Sequence, residues 1–136
     1  MGGALQGSPN TVYGDYADPE DWGSGSATGD YFGGPESGAG GGVLRLRTGK
    51  LELEGKLLSS GINDGAGGSI FVSANSLHGN GQIQAAGADG AYGDDGASGG
   101  GRVAVYARDF GQFNTNRIAA NGGRSNKANG TVLLPQ

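Results

Sequence analysis

One repeated phrase constrains this chain more than anything else in it. The phrase runs Gly, any residue, aliphatic, any, aliphatic, any, small; then an apolar residue, a turn, and Ile-x-Ala before another Gly. It is clearest in Gly67-Gly68-Ser69-Ile70-Phe71-Val72-Ser73-Ala74-Asn75-Ser76-Leu77 and its continuation Gly81-Gln82-Ile83-Gln84-Ala85-Ala86-Gly87. An earlier copy carries Gly42, Leu44, Leu46, Thr48, Leu51, Gly55, Leu57, Ser59 and Gly61. A later copy carries Gly101, Val103, Val105, Ala107, Phe110, Ile118, Ala120 and Gly122, and a fourth begins at Gly130-Thr131-Val132-Leu133-Leu134. A chain that repeats itself at such a period folds as an array of like units, and this has to be settled before single elements are assigned.

The first two copies keep one register. Leu44 to Ile70, Leu51 to Leu77, Leu57 to Ile83 and Gly61 to Gly87 are all 26 residues apart. The third copy lies further on: Ile70 to Val103 is 33 residues and Ile83 to Ile118 is 35. The extra residues fall in the Gly-rich connection from Ala88 to Gly100 and in the turn from Gln112 to Arg117. Insertions confined to connections are what stacked repeats tolerate.

Superimposing the copies gives columns of like residues: Leu44, Ile70, Val103, Val132; Leu46, Val72, Val105, Leu134; Thr48, Ala74, Ala107; Leu51, Leu77, Phe110; Leu57, Ile83, Ile118; and Ser59, Ala85, Ala120. Within each copy the apolar residues alternate with polar ones, the signature of half-buried strands. One copy cannot bury its apolar face alone, whereas three or more stacked together can. The expected fold is all-β: a parallel β-helix, or β-solenoid, of three to four coils, with three short strands per coil and each strand about 4.8 Å from its equivalent. Helices are disfavoured because Gly costs about 1 kcal/mol in a helix interior, and the chain holds 32 of them. The Gly runs themselves read in two ways, as mobile loops or as extended chains packed closely where only Gly fits.

The apolar content is concentrated in the repeats. Of all the Leu, Ile, Val and Phe, only Leu5, Val12 and Phe32 precede residue 43. The organisation expected is a Gly/Ser/Asp-rich arm or cap over 1–42, followed by repeats at 43–66, 67–100, 101–129 and a partial one at 130–136. There is no cysteine and hence no disulfide framework or thiolate metal site. The formal net charge of -4 and the lack of a clustered basic face argue against nucleic acid. No apolar run has the length of a membrane span, and Met1-Gly2-Gly3 does not open a signal peptide.

The stretch Gly67 to Gly87, followed by Gly99-Gly100-Gly101-Arg102-Val103-Ala104-Val105-Tyr106, resembles the glycine-rich β-solenoid repeat of large secreted or cell-surface, adhesin-like bacterial proteins. Val12-Tyr13-Gly14-Asp15 with Pro19, then Gly23-Ser24-Gly25, resembles the tract preceding those repeats. The resemblance implies a non-catalytic structural or adhesive module outside the cell; end-to-end assembly into filaments is a separate expectation, drawn from the strand edge at Val132 and Leu134, which the next domain of a longer chain or the first coil of another copy would complete. The module's partners would be other copies, neighbouring domains of a longer chain, or surface glycans. A carbohydrate-binding or polysaccharide-cleaving module and a calcium-stabilised spacer are the alternatives.

Few residues offer chemistry. His78 is the single histidine, and nothing marks a nucleophile and acid around it as a triad requires. Asp89, Asp94 and Asp95 share the longest inserted connection, with Asp64 in the equivalent one before it. Ca²⁺, which takes several oxygen ligands, is the one ion such a loop would hold, and no other cofactor is expected. A polysaccharide-cleaving reading would use the same carboxylates, but no basic residue stands beside them. Asp15, Asp18, Glu20 and Asp21 in the arm read either as oxygen ligands for a cation or as part of a segment covering the first coil, with Tyr13, Tyr16 and Trp22 lying over an apolar end. Arg45, Arg47 and Arg102 are expected on one outer face with Phe71 and Tyr106 in aligned positions, a face for a glycan or another subunit. Val132 and Leu134 are expected at an uncovered edge. On this pattern Val72→Asp should unfold the domain, while Phe71→Asp next to it should be mild.

Overall fold

The computed structural model describes residues 14–26, 38–89, 98–123 and 129–135. Alternation of apolar and polar residues produces seven strands: β1 (Val43–Glu52), β2 (Lys56–Leu58), β3 (Ser69–His78), β4 (Gln82–Gln84), β5 (Arg102–Asp109), β6 (Ile118–Ala119) and β7 (Thr131–Leu133). A short 3-10 helix, Thr115–Arg117, precedes β6, and the Asn114 side chain caps it by accepting from the Asn116 amide. The odd strands form a four-stranded sheet in the order β1-β3-β5-β7, and the even strands a three-stranded sheet in the order β2-β4-β6. Every pair is parallel. Each return to the larger sheet passes through the smaller one. The chain is therefore all-β, with parallel sheets and almost no helix.

The columns read from the sequence are ladder partners. Leu44 pairs with Ile70, Ile70 with Val103 and Val103 with Val132. Leu46, Val72 and Val105 form the next row, and Leu57, Ile83 and Ile118 the matching one in the smaller sheet. The core lies between the two sheets. Ile70, Val72 and Leu77 from β3, Ile83 from β4, and Val103 and Val105 from β5 are wholly buried, each contributing about 1.5–3 kcal/mol. Leu44, Leu46, Leu51, Leu57, Phe110 and Leu134 pack against this cluster but are only partly buried.

The structure departs from expectation in four respects. First, each repeat contributes two strands rather than three. The segments Val43–Arg47 and 50–54 merge into one strand, because the ladder continues past Gly49 to pair Lys50 with Ser76 and Leu51 with Leu77. The ladder does skip Gly49 with Asn75, and Asn75 with Arg108. Side-chain alternation shifts by one at this corner, so that Thr48 and Leu51 both face the core. Second, Phe113, from the inserted turn, is buried while Phe110 is only half-buried. Third, Phe71 is only 7% exposed although it points away from the core. Fourth, Tyr16 and Trp22 are 58% and 73% exposed and cover no apolar end; Tyr13 lies outside the described residues.

The side of each repeat not made of strands is built from Gly-rich segments held to one another. The Gly23 amide donates to the Gly41 carbonyl (2.8 Å), Gly41 to Ala66 (2.8 Å), Gly67 to Gly99 (3.0 Å) and Gly87 to Asn121 (2.9 Å). A side chain at Gly67 would strike the Ala85 carbonyl and the Gly101 amide. The Gly runs thus pack backbone on backbone, and their hydrogen bonds satisfy groups that a buried loop would otherwise orphan. Gly79 has another reason: it turns β3 towards β4 at φ +102°, a conformation costly for other residues.

Candidate functional site

The most elaborate polar constellation among the described residues lies on the outer face of the four-stranded sheet. Alternation along β1, β3 and β5 sends Arg45, Arg47, Ser69, Phe71, Ser73, Arg102 and Tyr106 away from the core. The register orders them into rows. Arg45, Phe71 and Ala104 form one, and Arg47, Ser73 and Tyr106 the next. Phe71 and Tyr106 are therefore diagonal rather than aligned, because they differ by two positions in register. Their ring centroids are 5.6 Å apart with planes tilted 39°. Both arginines of β1 stack on Phe71, with Cζ 4.5 Å from the ring centroid for Arg45 and 5.3 Å for Arg47.

The arm crosses this face. Three of its carbonyls, at alternate residues, accept from three side chains of the sheet: Ala17 from the Tyr106 hydroxyl (2.8 Å), Pro19 from Arg45 Nη1 (3.3 Å) and Asp21 from the Ser69 hydroxyl (2.5 Å). Its carboxylates pair with the arginines. Arg45 reaches Asp18 at 2.6 Å and Glu20 at 2.9 Å, and Arg102 stands 3.9 Å from Asp21. The Asp15 Oδ1 accepts from the Ala17 amide at 2.7 Å, shaping the turn that leads in. Pro19 is buried in the arm, and Phe71 is buried with Arg45, Arg47 and Tyr106 against its ring. The acidic residues read from the sequence as cation ligands are thus engaged within the chain. The ion pairs are largely exposed, with Asp18 at 53% and Glu20 at 68%, so each adds at most about 1 kcal/mol.

Arg47 differs from its neighbours. Its guanidinium rests on Phe71 but makes no hydrogen bond or ion pair among the described residues. It lines a shallow groove of about 370 Å³ with Ala17, Asp18, Phe71, Ser73 and Tyr106.

Elsewhere the candidates are dispersed. His78 Nε2 is 3.6 Å from Asp109 Oδ2, and no hydroxyl bonds to that imidazole among the described residues. Asp89 is exposed, while Asp94 and Asp95 lie outside the described residues. Asp64 has positive φ, and its Oδ1 is buried without a hydrogen-bond partner. Its carbonyl accepts from the Ser98 hydroxyl, which ties two Gly-rich segments together. No group of three metal-ligating side chains converges among the described residues, and no described helix is long and apolar enough to cross a membrane. Val132 is 37% exposed, and Leu134 is half-buried beside the core. Pro19, Ser69 and Ser73 were not foreseen as parts of a site. The polar member of each alternating pair was the available signal, but it does not say which outer positions an arm will cover.

Comparison with family models, with curated proteins and with solved structures gives no match.

Proposed function

We propose that the chain is a parallel β-solenoid acting as a non-catalytic structural and adhesive module outside the cell, whose coils stack end to end on those of another copy. One observation carries the stacking. In the middle coil Ile70, Val72, Leu77 and Ile83 are wholly buried, whereas their equivalents one coil earlier, Leu44, Leu46, Leu51 and Leu57, are only partly buried. At the other end Val132 is again exposed. The same columns that are sealed in the middle are open at both ends among the described residues. β1 and β7 each have a hydrogen-bonded neighbour on one side only. A further coil in the same register would seal both. Contact of one end with the opposite end of another copy does not close on itself, so it propagates as a filament. The extracellular and adhesive part of the reading rests on the resemblance of the glycine-rich repeat.

Light scattering and electron microscopy test it. Wild-type protein is expected to gain mass with concentration and form rods. Val132→Lys with Leu134→Lys should abolish the rods while circular dichroism shows the first three coils folded. A wild-type chain that stays monomeric at high concentration contradicts the proposal.

A further inference from the structure

The groove beside Arg47 offers a specific reading of what such a module adheres to. We propose that it binds an acidic saccharide, a sugar carrying a carboxylate, with the carboxylate on Arg47 and the hydroxyls on Ser73 and Asp18. The inference rests on the adhesive part of the function proposed above. Three observations bear on it. The sheet places Arg47, Ser73 and Tyr106 in one row across β1, β3 and β5. The arm then supplies a wall of Ala17 and Asp18 beside that row, leaving a shallow, open groove. Finally, Arg45 spends its guanidinium on Asp18 and Glu20, while Arg47 keeps its donors free of hydrogen bonds and ion pairs among the described residues and is held in place by Phe71.

The composition of the walls selects the ligand. A planar guanidinium fork matches a carboxylate through two parallel hydrogen bonds. The Asp18 carboxylate in the same groove repels a bare anion but accepts hydrogen bonds from sugar hydroxyls through oxygen that Arg45 does not occupy; that pair uses Oδ1. The Ser73 hydroxyl has no partner among the described residues and both donates and accepts. Tyr106 adds an aromatic surface against the apolar side of a sugar ring. An extended peptide is a poorer fit, because the donors that read peptide carbonyls on this face, from Tyr106, Arg45 and Ser69, are already taken by the arm.

Isothermal titration calorimetry tests the proposal with di- and trigalacturonate, neutral galactose oligomers of equal length, sodium acetate, and a peptide of residues 16–22. Trigalacturonate should bind, and Arg47→Ala should weaken it about tenfold or more, the scale of a lost charged hydrogen bond. Arg47→Lys should restore part of the loss. Ser73→Ala, which removes a hydroxyl with no partner among the described residues, should weaken binding with an unchanged melting temperature. Neutral oligomers should bind at least about tenfold more weakly. No uronate binding, equal binding of acetate, tighter binding of the peptide, or indifference to both Arg47→Ala and Ser73→Ala would each overturn the proposal. Light scattering on the same samples separates the two readings. Arg47 and Ser73 point away from the core columns, so stacking without uronate binding removes the groove and leaves the stacking module standing.

Discussion

At the scale of single residues, two neighbours in β3 divide the account. Val72 is wholly buried between the sheets, and Phe71 is buried on the other side, with Arg45, Arg47 and Tyr106 against its ring. Val72→Asp places an unpaired charge in the core and should cost more than about 4 kcal/mol, abolishing the cooperative melt. Phe71→Ala should cost about 3 kcal/mol, with the loss reported as a lowered melting temperature. If Phe71→Ala melts like wild type, the packing of its ring against Arg45, Arg47 and Tyr106 does not contribute to stability. The position of Val72 was legible because alternation assigns alternate residues to one side. The burial of Phe71 was not, because alternation says which way a side chain points and nothing about what lies across it. Glycines offer a second comparison. Gly67 sits against the backbone of Ala85 and Gly101, whereas nothing lies near a side chain added at Gly55. Gly67→Ala should therefore cost about 1–3 kcal/mol by overpacking and Gly55→Ala within about 0.5 kcal/mol, both read by urea denaturation. Equal effects would mean that the Gly-rich segments are not packed backbone on backbone.

At the scale of elements, the strands were readable and their merging was not. Leu44, Leu46, Leu51 and Leu53 all read as inward from the sequence, but the break in alternation at Gly49 looked like a turn between two strands. Hydrogen bonds to β3 resume immediately at Lys50, and no pattern in β1 alone reveals that. The Gly runs were ambiguous for a related reason. Composition allows either loose or tight packing, and the partners that decide, such as Gly41 with Ala66 and Gly67 with Gly99, are far apart in sequence. Arg45 holds the arm through two carboxylates and a carbonyl, beside the bonds from Tyr106, Ser69 and the Gly-rich backbone. Arg45→Ala should loosen it by about 1 kcal/mol, seen as roughly fivefold faster hydrogen exchange at the Gly23 amide, which bonds to Gly41. Amides in the middle of β3 should exchange as before. Unchanged exchange at Gly23 would show that the arm is anchored elsewhere.

At the scale of the whole molecule, the columns are buried in β3 and only partly buried in β1 among the described residues. The register of 26 residues between the first two copies was enough to predict which residues meet, because parallel stacking puts equivalent positions on one another. What covers the outer face depends on contacts that no repeat encodes. Head-to-tail stacking is the central claim, and solid-state NMR of assemblies grown from a mixture of two differently labelled copies tests it most directly. Intermolecular contacts are expected from the methyls of Val132 and Leu134 to those of Leu44 and Leu46, continuing the columns of the core. Assemblies lacking these contacts, or joined through other residues, would contradict the account.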